Sequence, residues 1–284
     1  MAPSESSLKT YNAKVQLLKV AVGDNKEGFT FLKDSGKIIS YIEGLKDASL
    51  NSKKTFYVSI VSLLKNLKGY TKQLKIYRSK MMEYNKQQTE IYDKQELSET
   101  EKAKWLSWPD ILQVRQQVED AVEDFKSFQD YLLLCIYTYI PPVRLDVNAL
   151  KVVDSIPKTL MGNYYVNSKQ PEILLTEYKT AAKYGPQHIK IPTDLIETIN
   201  LYIELYEPTY LFENTLGEPM SEQLLSRNII NIFTKYTGKA AGINILRHAY
   251  VSQEREGELS SKKSKALANS MMHSTNMSSM YRRI

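Results

Sequence analysis

The chain has 284 residues, enough for about two domains at roughly 150 residues each. With 42% hydrophobic and 25% charged residues it reads as globular with a real core, and no apolar run approaches the roughly 18 residues a bilayer crossing needs. A single cysteine, Cys135, excludes an internal disulfide framework and a cysteine-rich zinc module, and only three histidines, His188, His248 and His273, argue against a multi-histidine metal centre. A net charge of +6, from 38 Lys and Arg against 32 Asp and Glu, leans toward polyanionic partners.

The N-terminal stretch MAPSESSLKTYNAK lacks the apolar core of a signal peptide, which points to an intracellular protein that is not secreted. Asp34 or Ser35 can cap a helix carrying Ile38, Ile39, Ile42 and Leu45. From Ala48 to Met82 there are eight basic residues and no acid. Ser52 can cap a helix starting near Lys53, with Lys54 beside it and Ile60, Leu64, Leu67 and Leu74 facing a core. Lys65, Lys68, Lys72 and Lys75 then recur every three or four residues along one face, with Arg78 and Lys80 beyond and Phe56, Tyr57, Tyr70 and Tyr77 interleaved. Such a stripe suits a DNA backbone, because each lysine that neutralises a phosphate releases condensed counterion. A solvated lysine face would look the same.

Tyr84 to Glu101 is polar and reads as a loosely packed helix and linker, with Ser98 and Glu101 at capping-box spacing. The domain boundary falls between Glu96 and Pro109, giving a helical domain with an N-terminal arm over residues 1–104 and a second domain over 105–284. Ser107 and Pro109 mark a helix start, and Ile111, Val114, Val118, Val122 and Phe125 form its apolar stripe. Leu132 to Ile140, which contains Cys135, is a buried helix or strand ended by Pro141 and Pro142. Asn163 to Val166, Ile173 to Tyr178 and His188 to Ile191 read as strands. Helices capped by Thr193 and Ser221, another from Ile243 to about Arg255 and a last one from Ser261 to Met272 complete a mainly α chain with a small β-sheet.

Five short stretches carry chemistry. They are Pro141-Pro142-Val143-Arg144, Glu177-Tyr178-Lys179-Thr180, Asn244-Ile245-Leu246-Arg247-His248, Met272-His273-Ser274 and Ser279-Met280-Tyr281-Arg282-Arg283. Lys179 lies 35 residues after Arg144, Arg247 68 further on, His273 26 beyond that, and Tyr281 8 beyond His273. Taken singly, each reads as an ordinary loop, helix-face or tail residue. Their order makes them specific.

That order resembles the tyrosine recombinase, or lambda-integrase-type, family. The family carries an arginine, a hairpin lysine, a His-x-x-Arg motif, a His or Trp, and a nucleophilic tyrosine soon after. The motifs span the whole second half, and the basic first half resembles the core-binding domain that precedes the catalytic domain. Pro-Pro-Val-Arg, and Tyr-Lys-Thr followed by Lys183-Tyr184-Gly185, resemble integrases of large eukaryotic DNA viruses and their virophages, which would place the protein in a host nucleus or viral factory. The resemblance implies a DNA clamp that cleaves and rejoins double-stranded DNA through a 3′-phosphotyrosyl bond on Tyr281, with no cofactor, metal or ATP, as a tetramer on two duplexes.

In that scheme Arg144 and Arg247 clamp the scissile phosphate and Lys179, on a mobile hairpin, protonates the leaving oxygen. His273 bonds the phosphate or orients the nucleophile. Asn244 stands where the first histidine of His-x-x-Arg belongs, and asparagine can hydrogen-bond but cannot act as a base. His248 is a poor substitute, because one helical step turns it about 100° from Arg247. A second departure is the short tail, since only Arg282, Arg283 and Ile284 follow Tyr281. Lys53, Lys54, Lys65, Lys68, Lys72, Lys75 and Arg78 are the DNA-binding candidates. A type IB topoisomerase shares the catalytic constellation, and a catalytically silent DNA clamp shares the fold.

Overall fold

Two prolines after a long apolar stretch determine where the candidate site begins. The structure, a computed structural model, describes residues 5–23, 28–255 and 260–283, and it divides into two compact units after Lys94.

The first unit is helical: α1 (Glu5–Ala21), α2 (Ser35–Glu43), α3 (Leu50–Leu64) and α4 (Thr71–Asp93). α1 occupies much of the segment read as an arm, and Val15 and Leu18 anchor it in the core. Asp34 caps α2, as the sequence suggests, by accepting from the Lys37 backbone N–H. Glu43, at the end of α2, accepts from Tyr57 Oη on α3 at 2.9 Å and Tyr84 Oη on α4 at 2.6 Å, which joins three helices through one carboxylate.

The basic stretch differs from its sequence reading. Ser49, not Ser52, caps α3, and its hydroxyl accepts from the Ser52 backbone N–H. The expected single helix breaks between Leu64 and Thr71, where Gly69 takes φ +82°, a left-handed conformation that glycine adopts at little cost. Leu67 is therefore exposed in the turn rather than in the core. Phe56, Tyr57 and Tyr77 are buried core residues, so the aromatic interleaving reflects packing. α4 continues well into the supposed linker, with Tyr84 buried.

The second unit begins with α5 (Glu99–Lys102), whose capping box joins Ser98 and Glu101, and α6 (Trp108–Glu119), whose capping box joins Ser107 and Asp110. α6 ends before Val122, and Phe125 opens the next helix instead of extending the α6 stripe. That helix, α7 (Phe125–Tyr139), resolves the helix-or-strand ambiguity, and nine of its residues, Cys135 included, are buried. It stops at Ile140, which turns extended (ψ 156°) because a residue before proline is excluded from helical backbone. Pro141 and Pro142 carry the chain out extended to Arg144.

A four-stranded sheet follows in the order β1 (Leu150–Val153), β2 (Asn163–Val166), β3 (Glu172–Leu175), β4 (Gln187–Lys190). β1 runs parallel to β2, pairing Leu150 with Asn163, and the other pairs are antiparallel. The sequence reading missed β1. β2 is buried along its whole length, as a strand covered on both faces must be. Between β3 and β4 lies the short helix α8 (Ala181–Tyr184).

The chain closes with α9 (Thr193–Tyr206), α10 (Glu222–Thr237), α11 (Ile243–Glu254), α12 (Ser261–Ser270) and α13 (Thr275–Ser279). Ser221 caps α10 as read, but Pro192 occupies the cap of α9 and Thr193 is its first helical residue. Among the described residues, no helix is long and apolar enough to cross a membrane. The architecture is mainly α with a small sheet.

Tyr77 offers a clean test of the first unit. Its side chain is fully buried, and its hydroxyl donates to the Leu32 carbonyl at 2.9 Å. Tyr77→Phe leaves that carbonyl unpaired and should cost about 1–3 kcal/mol, read as a lowered urea midpoint at unchanged m-value.

Candidate active site

Arg247 is the centre of the arrangement. α11 starts after an extended Gly242, and its inward face carries Leu246 and Arg247, both fully buried. A guanidinium has five N–H donors and cannot shed its charge cheaply, so burial demands partners. Arg247 Nη1 donates to the Pro142 carbonyl at 2.9 Å, which ties α11 to the proline turn before Arg144. Nη2 donates to His273 Nε2. The guanidinium carbon sits 5.0 Å from the centre of the Tyr281 ring. Burial pushes the Arg247 pKa down, with Arg144 a further positive neighbour.

His273 reaches this point through a C-terminal Schellman motif on α12. The His273 N–H bonds the Ala268 carbonyl and the Met272 N–H bonds the Asn269 carbonyl, with Met272 at φ +53°. Methionine tolerates this left-handed position poorly, so the turn carries about 1 kcal/mol of strain. Because arginine only donates, His273 Nε2 is an acceptor and the proton sits on Nδ1. Burial, then Arg247 and Arg144, pushes its pKa down to about 3. Its ring stacks on Tyr281, with centroids 5.0 Å apart and 13° between planes.

Tyr281 follows α13 and is buried with Val251, Leu267 and Met271. His248, on the next α11 position after Arg247, lies against its ring at 4.7 Å, and His248 Nδ1 donates to the Tyr281 carbonyl at 2.7 Å. That contact leaves His248 Nε2 as an acceptor, 3.4 Å from Arg283 Nη2. Burial, then Arg283, pushes the His248 pKa down to about 4. Arg283 further bonds Ser252 Oγ through its backbone N–H and Glu101 Oε1 through Nη2, each at 2.9 Å. Burial raises the Glu101 carboxyl, but the Ser98 hydrogen bonds and Arg283 outweigh it and hold the pKa near 2. His248 thus fastens the tyrosine segment to α11.

Arg144 is partly exposed just beyond the prolines, and its carbonyl accepts from Tyr137 Oη at 2.8 Å. Lys179 is exposed in the turn between β3 and α8 rather than at a strand end. Burial and Glu222 raise the pKa of the nearby Asp146 carboxylate, while Arg144 and the Lys179 backbone N–H oppose them. Asn244 is exposed in the first turn of α11, one turn before Arg247 on the same side. Arg247, His273 and Tyr281 are therefore in mutual contact, with Arg144 close enough to act electrostatically on the first two. Glu101, His248, Arg283, Asp146 and Asn163 are supporting residues that the spacing does not single out. Glu101 had a sequence signal in its capping box, and His248 and Arg283 lie within the motif stretches, whereas nothing in the sequence marks Asp146 or Asn163. Among the described residues, no group of three or more His, Cys, Asp or Glu could hold a metal ion.

The basic candidates lie in the first unit. Lys53 Nζ bonds the Glu43 carbonyl and Lys54 Nζ bonds Gln88 Oε1. Lys65 and Lys68 lie in the turn after α3, while Lys72, Lys75 and Arg78 share a face of α4, all exposed. The four lysines do not form one helical stripe.

No protein-family model and no curated protein matches the sequence. Solved structures do. A pre-cleavage complex of XerH site-specific recombinase bound to difH substrate aligns with 97% of this chain and 74% of its own at 17% identity and a TM-score of 0.53. A XerH post-cleavage complex with palindromic difH substrate aligns with 96% of this chain and 75% of its own at 17% identity and a TM-score of 0.55. A lambda integrase tetramer bound to a Holliday junction aligns more loosely, with 97% of this chain and 77% of its own at 16% identity and a TM-score of 0.43. The fold is that of the tyrosine recombinases.

The two buried imidazoles set a pH dependence. Both are held neutral when folded, whereas the unfolded chain protonates near pH 6.5. The unfolded state then binds more protons as pH falls, so stability present above about 6.5 is lost progressively down to about 3. Unfolding midpoints measured between pH 7 and pH 4 should fall, and His248→Gln or His273→Gln should flatten the slope. A profile unchanged in both variants would contradict the assignment.

Proposed function

We propose that this chain, which has the tyrosine-recombinase fold, is a site-specific recombinase that breaks and rejoins double-stranded DNA through a covalent bond to Tyr281. The observation that carries this reading is the contact of Arg247, His273 and Tyr281, with Arg144 nearby, in a chain whose fold neighbours include recombinases crystallised with cleaved and uncleaved substrate.

The chemistry follows from the side chains. A phosphodiester resists attack because it is anionic. Arg144 and Arg247 would hold its non-bridging oxygens and stabilise charge in the five-coordinate transition state. Among the described residues, Arg247 Nε and His273 Nδ1 are buried without a hydrogen-bond partner, and a phosphoryl oxygen would satisfy both. Tyr281 Oη attacks phosphorus as the bond to the 5′-oxygen breaks. The phenolic proton passes to water, and the Lys179 ammonium gives its proton to the leaving oxygen. The product is a 3′-phosphotyrosyl bond and a free 5′-hydroxyl, and reversal reseals the strand without a nucleotide because the bond energy is kept. Asn244, on the same side of α11 as Arg247, would donate to a phosphoryl oxygen in place of the usual histidine.

DNA contact by the first unit belongs to the same proposal, through Lys53, Lys54, Lys65, Lys68, Lys72, Lys75 and Arg78. So do assembly as a tetramer, an integrase role in a viral setting, and a division of the chain into a core-binding and a catalytic domain. A DNA clamp without chemistry is the second reading. Its support is Asn244, an amide that cannot take a proton where the resemblance expects a histidine.

Tyr281→Phe should abolish cleavage of a nicked duplex while leaving its affinity for DNA within about twofold, as compared by adduct formation and gel shift. Residual cleavage would show that another residue is the nucleophile. Replacing Lys65, Lys68, Lys72 and Lys75 by Gln should flatten the dependence of log K on log salt by about 0.9 for every phosphate no longer neutralised. An unchanged slope would assign these lysines to solvent.

A further inference from the structure

Asn163 is the first residue of β2 and one of few buried polar side chains, 7% exposed. Its amide makes four hydrogen bonds. Nδ2 donates to the carbonyls of Asp146 and Glu177 at 2.7 and 2.8 Å. Oδ1 accepts from the backbone N–H groups of Thr176 and Glu177, each at 2.9 Å. Two carbonyls on one side and two N–H groups on the other leave a single possible orientation for the amide. No other side chain of that size offers two donors and two acceptors in this arrangement.

The four bonds join two separate backbone segments. One is the turn carrying Arg144 and Asp146. The other, Thr176 to Glu177, leads directly into Lys179. The Asp146 carboxylate, on the same turn, lies close enough to the Lys179 backbone N–H to be stabilised by it. Tyr178 Oη bonds the Gly185 carbonyl at 2.7 Å and pins the other end of the loop. The Lys179 backbone is therefore fastened relative to Arg144, while its side chain stays exposed and free to swing.

We propose that Asn163 is a positioning residue that sets the Lys179 loop against the Arg144 turn, so that the ammonium meets the leaving 5′-oxygen of a phosphate held by the arginines. The inference rests on the reading of the site given above. It assigns Asn163 no contact with DNA. Loss of the amide should disturb leaving-group protonation and leave the arginine clamp and the nucleophile intact.

A substrate with sulfur in place of the bridging 5′-oxygen separates these effects. A thiol has a pKa of about 8.5, so it departs as thiolate and needs no proton donor, whereas an alkoxide does. Asn163→Ala and Asn163→Asp are compared with wild type and Lys179→Ala on nicked oxygen and sulfur duplexes, by rate of covalent adduct formation and by gel shift. On the oxygen duplex all three variants should cleave about 10²-fold more slowly. On the sulfur duplex they should return to within a few fold of wild type, at unchanged DNA affinity. An Asn163→Ala, Lys179→Ala double variant should be no slower than Lys179→Ala alone, as for two residues acting through one group.

Recovery on sulfur also proves that the variants are folded. If wild type cleaves and both Asn163 variants cleave oxygen DNA normally, or stay slow on sulfur DNA, the positioning role is overturned and the reading of the site stands. If wild type cleaves neither duplex, that reading falls and the role of Asn163 with it.

Discussion

A fully buried guanidinium is the constraint on which the second unit depends. Arg247 has no exposed surface, and a charge removed from water without partners would cost more than the whole marginal stability of a domain. Its partners come from three distant parts of the chain: the Pro142 carbonyl, His273 at the end of α12 and the face of Tyr281. Such a charge is not needed for stability, since well-packed apolar residues of similar volume often serve a core at least as well. A buried arginine costs stability and provides preorganisation, because donors already fixed in a dry site need no rearrangement when an anion arrives.

The same economy governs the tyrosine. Tyr281 lies in a short non-helical segment after α13. Here the backbone on both sides is fastened. His248 donates to the Tyr281 carbonyl, and Arg283 joins the tail to Ser252 and Glu101. His248 is therefore not a stand-in for the histidine that the resemblance expects at position 244. Its ring faces the tail, as its 100° offset from Arg247 on the helix demands.

How much of this was legible in the sequence depends on the distance over which each interaction acts. Local signals read well. Asp34, Ser98, Ser107 and Ser221 cap helices as their spacing indicates, since a cap is a contact within one turn. Pro141 and Pro142 end α7 for an equally local reason. The order of Arg144, Lys179, Arg247, His273 and Tyr281 was legible as a pattern, although nothing local places them together. The reading of one basic helix failed because lysines at helical spacing outweighed Gly69, the one residue suited to the turn that splits it. β1 was missed because it gains its pairing from residues more than ten positions away, and Asn163 because its partners lie on two other segments. An asparagine at the start of a strand carries no mark of such a role.

The proposed reaction requires a covalent bond between Tyr281 and DNA. The most direct measurement traps the covalent complex on nicked duplexes screened over many sequences, digests it with trypsin, and sequences the peptide that remains on the DNA. One peptide is expected, ending at Arg282, with the DNA 3′-phosphate on Tyr281. Attachment through another residue, attachment to a 5′-phosphate, or no adduct from a chain that binds the same duplexes would contradict it.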